Sequence, residues 1–154
     1  MSALRLQKCR AVCPLFALPS LEHDGRGAPG LSASFEVQVE THFDAEHCLD
    51  LAGGRCEAHE HRWRVAVRAR SPRLDHIAIV VDFRKLRQQA DELVARLAGK
   101  NLEETDELRE GDTGPGGVAE WLLDELRRMN VDEDYVISSV TVGCDPRIDV
   151  TVGD

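Results

Sequence analysis

The chain has 154 residues, 42% of them hydrophobic and 31% charged, the balance of one soluble globular domain with room for a real core. Its net charge of −9 argues against generic nucleic-acid binding, which needs a basic surface. No apolar run approaches the roughly 20 residues that span a bilayer, so no membrane partner is expected. Five cysteines, an odd number without regular spacing, do not read as a disulfide framework, and a reducing, cytoplasmic location is the simpler expectation.

Residues 1–33 read as an extension or linker, poorly ordered, ahead of a domain over residues 34–154. Pro14, Pro19 and Pro29 and the glycines at 25, 27 and 30 punctuate it. Pro14 interrupts the one short apolar run, Ala11 to Leu18, and Pro19-Ser20 is a poor cleavage site, so a signal peptide is not expected. Cys9 and Cys13 have no second Cys or His pair nearby to complete a metal site.

From Ser34 the pattern alternates. Phe35, Val37 and Val39 fall on one side and Glu36, Gln38 and Glu40 on the other, which predicts a half-buried strand running on towards His47. A Gly53-Gly54 turn leads to a second strand from about Glu57 to Arg70. There His59, His61, Trp63, Val65, Val67 and Ala69 share one face, and Glu60, Arg62, Arg64, Arg68 and Arg70 share the other. The arginine face reads most simply as solvated, with a triphosphate, an acidic partner or a neighbouring subunit as alternatives. Ile77–Val81 is apolar and predicts a short strand. Asp82 caps a helix in which Phe83, Leu86, Ala90, Leu93, Val94 and Leu97 recur at helical spacing, and Gly99 stops it. After an acidic, irregular stretch, a second helix is predicted from about Val118 to Met129, with Trp121, Leu122, Leu126 and Met129 inward. Tyr135–Val142 and Ile148–Val152 read as a closing pair of strands. The order ββααββ implies an α+β layer, a four-stranded antiparallel sheet with both helices on one face.

The histidines carry the chemistry. His59 and His61 are two residues apart, so a strand presents both imidazoles on one face, and that face is the apolar one. An unpaired charge is costly there, whereas a neutral imidazole bound to a metal is not. His47, on the preceding strand, is placed to supply a third ligand. Three imidazoles with an open fourth position are the layout of a catalytic zinc site. Cys56 stands three residues before His59 and is either a reactive thiol or a fourth ligand that would close the site. His42 is expected to face solvent or to support the site, and His76 to sit in a turn.

Phe43-Asp44-Ala45-Glu46-His47, Cys56 with His59-Glu60-His61, and Val81-Asp82-Phe83-Arg84-Lys85-Leu86 together resemble the motifs of the 6-pyruvoyl-tetrahydropterin synthase and 6-carboxytetrahydropterin synthase family, in the family's order. The resemblance spans roughly residues 34 to 152. It implies the tunnelling fold, self-association into trimers or hexamers, and active sites between subunits. It implies Zn2+ on His47, His59 and His61, catalytic proton transfer by Cys56, and a small-molecule pterin substrate, 7,8-dihydroneopterin triphosphate.

The chain also departs from that pattern. Only Glu57 and Ala58 separate Cys56 from His59, where the family has three residues, and Glu60 replaces a glycine. Leu97-Ala98-Gly99 stands where the family has Leu-Asp-His. The family's pterin-anchoring glutamate falls at about Gly143-Cys144, with Asp145 a shifted, shorter alternative. Three readings therefore stand: a divergent zinc-dependent lyase, a non-catalytic metal- or pterin-binding homologue on the same scaffold, and, behind these, a related-fold enzyme acting on another purine- or pterin-like ring. A cupin is disfavoured, because Val65 and Ala66 occupy the places of its glutamate and no histidine lies beyond His76.

Overall fold

The computed structural model describes residues 34–48, 50–51, 54–55, 57–108, 112–132 and 134–154. The expectations for residues 1–33, for Gly53 and for Cys56 lie outside them. Strand β1 spans Phe35–His47, and its alternation is read out directly: Val39, Thr41, Phe43, Ala45 and His47 are buried while the intervening residues are exposed. Two short strands, β2 (Asp50–Leu51) and β3 (Gly54–Arg55), pair with each other. Strand β4 spans His59–Ser71 and lies antiparallel to β1 in unbroken register, from Phe35 opposite Ser71 to His47 opposite His59. Strands β5 (Val136–Asp145) and β6 (Ile148–Gly153) complete an antiparallel sheet of order β1-β4-β5-β6.

Helix α1 (Phe83–Ala95) begins where the Asp82 carboxylate accepts the Arg84 N–H, the cap expected of that residue. It buries Leu86, Ala90, Leu93 and Val94 and lies against β1. Helix α2 (Pro115–Met129) lies against β5 and β6. Both helices feed one core with Trp63, Val65 and Val67 of β4 and Val140 and Val142 of β5. Each fully buried Leu in it contributes about 1.5–3 kcal/mol of transfer free energy. The fold is thus the expected α+β layer, and no helix among the described residues is long and apolar enough to cross a membrane.

Helix α1 ends at Ala95, four residues short of the expected stop at Gly99, and two further elements differ from expectation. Ile77–Val81 forms no strand. The Asp75 carboxylate accepts the Ile77 and Ile79 N–H groups at 2.8 and 3.0 Å, Ala78 takes φ of 63°, and Ile77 is 63% exposed. Both sides of β4 are already occupied by β1 and β5, so the apolar run has no place beside it. Helix α2 starts three residues before Val118, because Pro115 at its first turn is compatible with a helix start and the Gly117 N–H bonds the Asp112 carboxylate at 3.1 Å. Of its expected inward residues, Leu122 and Leu126 are buried, whereas Trp121 and Met129 are half-buried at the margin of the core.

The open face of the sheet carries the arginines, and Arg64, Arg68 and Arg70 pair within the chain. Arg68 lies 2.8 Å from Gln38 and 3.7 Å from Glu36, and Arg70 lies 3.7 Å from Glu36. Arg64 reaches over β5 to Asp149 on β6. That reach requires Gly143, whose missing Cβ would lie 2.7 Å from the Ile148 carbonyl and 3.2 Å from the Arg64 guanidinium. Arg62 and Arg70 are exposed, and Arg64 and Arg68 are half-buried in their pairings.

Candidate metal centre

The centre sits at one end of the sheet, where β1 finishes and β4 begins. His47 and His59 are directly opposite in the ladder, and Ala45 is opposite His61, so His61 is the diagonal neighbour of His47. Such neighbours on one face lie within reach of ring side chains. The rings converge: centroids are 4.5 Å apart for His59 and His61, 5.0 Å for His47 and His61, and 5.5 Å for His47 and His59. One ligand nitrogen from each lies within 4.8 Å of the other two, an arrangement that suits one ion. The three differ in depth, with His47 buried, His61 half-buried and His59 exposed, so the group opens to solvent on the His59 side.

Protonation and tautomer favour ligation. His47 has its pKa lowered, first by burial and then by the neighbouring His61 and His59; the backbone of Thr113 and the charge of Glu103 act in the opposite direction. A lowered value keeps the ring neutral, the form that binds a metal. The His47 Nδ1 is buried with no hydrogen-bond partner, an orphaned polar atom of the kind a bound ion or its surroundings would account for. At His59, Nδ1 lies 2.9 Å from the Glu57 carbonyl, which can only accept, so the proton is on Nδ1 and Nε2 is left as the donor. Three imidazole nitrogens are a donor set that zinc takes.

The scaffold around the centre is backbone-rich. Gly99 adopts φ of 70°, a left-handed value that favours glycine, and turns the chain after α1 back onto the outer edge of β1. Its N–H bonds the Asp44 carbonyl at 2.7 Å, and the Glu46 N–H bonds the Lys100 carbonyl at 3.0 Å. Ala98-Gly99, where the resemblance expects an Asp-His pair, therefore supplies backbone contacts but no acid or base. Asp145 is committed to its own hairpin: it accepts the Arg147 backbone and side-chain N–H groups at 2.9 and 3.2 Å, and these bonds, with a smaller contribution from His61, hold its carboxyl below the usual range.

The structure thus brings together His47, His59 and His61. Cys56 is not among the described residues. His42 is exposed on the other face of β1, and His76 lies in the turn after β4. Cys48 is buried beside His47, and Cys144 is half-buried against the core with its thiol pKa raised by burial. The strand pattern placed Trp63 only on the apolar face of β4, yet its ring is 4.8 Å from that of His47. The signal was present, since Trp63 is two residues beyond His61 on the same face. Glu103, in a short 3-10 helix at Leu102–Glu104, and Thr113, just before α2, act on His47 and left no such periodic signal.

An antiparallel four-stranded sheet with two helices on one face and a three-histidine cluster at its end defines a class, the tunnelling-fold proteins with a metal-type site. The chain belongs to the 6-pyruvoyl tetrahydropterin synthase family, whose pattern matches residues 36–152. Solved structures agree on the fold. The Caenorhabditis elegans 6-pyruvoyl tetrahydropterin synthase is 16% identical with a TM-score of 0.67, over 79% of this chain and 96% of that one. The Plasmodium falciparum 6-pyruvoyl tetrahydropterin synthase is 17% identical with a TM-score of 0.65, over 79% and 98%. A Wolinella succinogenes protein described as uncharacterized is 17% identical with a TM-score of 0.64, over 79% and 99%. No curated protein matches the chain in sequence.

Proposed function

We propose that the protein is a zinc-dependent, pterin-handling lyase that acts on 7,8-dihydroneopterin triphosphate. The observation that carries this reading is the convergence of His47, His59 and His61, with one ligand nitrogen from each within 4.8 Å of the others, in a chain of this family. Zinc held by three imidazoles, with a position left open, would polarise a substrate oxygen as a Lewis acid. The chain's own part is to keep His47 neutral by burial, to aim the three imidazoles and to move protons. Cys56, three residues before His59, is the proposed proton-transfer group. Self-association into trimers or hexamers in the cytoplasm belongs to the same proposal, with the outer strand β6 as one available edge.

A second reading has its own support. Ala98-Gly99 and Gly143 offer no side chain for acid–base work or for anchoring a pterin ring. Lost acid–base assistance is typically worth about a hundredfold to ten-thousandfold in rate. A non-catalytic homologue that binds metal or pterin would keep the histidines and tolerate those losses. Incubating zinc-loaded protein with 7,8-dihydroneopterin triphosphate and following triphosphate release separates the two. The lyase reading expects release above a zinc-free control; release equal to that control favours the binding protein.

A further inference from the structure

We propose that Trp63 is a positioning residue that sets the orientation of His47 in the metal centre, a role that rests on the zinc reading above. A buried metal-ligating histidine is ordinarily held through its second nitrogen, bonded to a carboxylate, carbonyl or water. His47 is 1% exposed, and its Nδ1 has no such bond among the described residues. Whichever nitrogen ligates, an aromatic contact constrains the ring. The Trp63 indole stands edge-on to His47, with centroids 4.8 Å apart and planes at 72°.

The indole is itself fixed. Trp63 is fully buried, its Nε1–H donates to the Ala45 carbonyl at 3.1 Å, and Phe43 stacks on it at 5.7 Å with planes 14° apart. Ala45 lies two residues from His47 on the same strand, and Trp63 lies two residues from His61 on the next. The backbone that carries one ligand therefore grips the ring that aims it, and the same indole borders the strand segment that supplies the other two. Ligand geometry of this kind has to be held to within about half an ångström to preserve a metal site.

A residue that only filled the core would alter stability and leave the metal affinity of the folded protein alone. The test is zinc affinity, measured by competition with a chromophoric chelator, on folded metal-free protein. Imidazole N–H spectra of the same samples report the order of the His47 ring. Trp63→Phe shortens the ring and removes the bond to Ala45; it should weaken zinc about tenfold and broaden the His47 signals. Trp63→Leu should weaken zinc about a hundredfold, and if it does not fold, the Phe variant decides the matter. Leu126→Val, a core change on α2, should lower the melting temperature with zinc affinity unchanged. Wild-type zinc affinity in Trp63→Phe, or an equal loss in Leu126→Val, would overturn the assignment. A wild-type protein that binds no zinc would overturn the metal reading first and Trp63's role with it.

Discussion

The two faces of β4 come from the same thirteen residues and obey different physics. On the helix side, Trp63, Val65, Val67 and Ala69 are buried; on the open side, Arg62 and Arg70 are exposed and Arg64 and Arg68 half-buried. Truncating a side chain on the helix side leaves a void that water does not fill, so packing there is costly to disturb. On the open side solvent takes over from any partner that is removed, and an exposed ion pair is worth little. The lesson concerns the histidines. His59 and His61 continue the helix-side row, where polar groups need a reason, whereas His42 faces outward and needs none.

The largest effect should come from the buried side. Leu122→Ala, at a fully buried position on α2, should cost about 2–5 kcal/mol in urea unfolding. A cost below about 1 kcal/mol would mean that this face is not close-packed. Gly143→Ala tests where the open face borrows buried-side tightness. The added methyl meets the Asp149 carboxylate and the Ile148 carbonyl, and the backbone cannot easily yield, so about 1–3 kcal/mol is expected. Asp149→Ala removes the Arg64 ion pair without that clash and should cost about 0.2–1 kcal/mol, less still in high salt. Equal losses in the two variants would show that the ion pair, not the close approach, is what matters there.

The subtlest effect links the faces to pH. Thr41 is buried on the helix side of β1, and its hydroxyl donates to Asp91 on α1, which Arg87 also contacts at 3.0 Å. Burial pushes the Asp91 carboxyl up, but the Thr41 and Arg87 bonds more than offset it and hold the value below the ordinary one. A depressed folded value means stability that is present above the unfolded pKa of about 3.9 and lost as pH falls through the folded value. Wild type should therefore lose stability relative to Asp91→Asn on going from about pH 7 to below about 3. A difference that stays constant over that range would contradict the assignment.

Most of the frame was legible from residue patterns. The period-two alternation of β1 and β4 marked both strands and the shared face of the histidines, and Asp82 marked the start of α1; Gly99, expected to stop that helix, instead turns the chain four residues beyond its end at Ala95. What failed was what periodicity does not encode. Ile77–Val81 has strand composition, but a single Asp75 carboxylate folds it into a turn. The expected start of α2 at Val118 fell after Gly114-Pro115-Gly116-Gly117, yet Pro115 opens the helix. The pairing of Arg64 with Asp149 joins residues 85 positions apart across an intervening strand, and no local pattern announces it. The approach of Trp63 to His47 was within reach, because both fall on the histidine face once the register is known.

The central claim is that three imidazoles hold one ion, and metal analysis tests it most directly. Zinc-reconstituted wild type, desalted, should carry about one equivalent per chain, and His59→Ala and His61→Ala should each carry far less while remaining folded. Stoichiometric zinc in both variants would place the metal elsewhere, or nowhere specific, and the account of this site would fail.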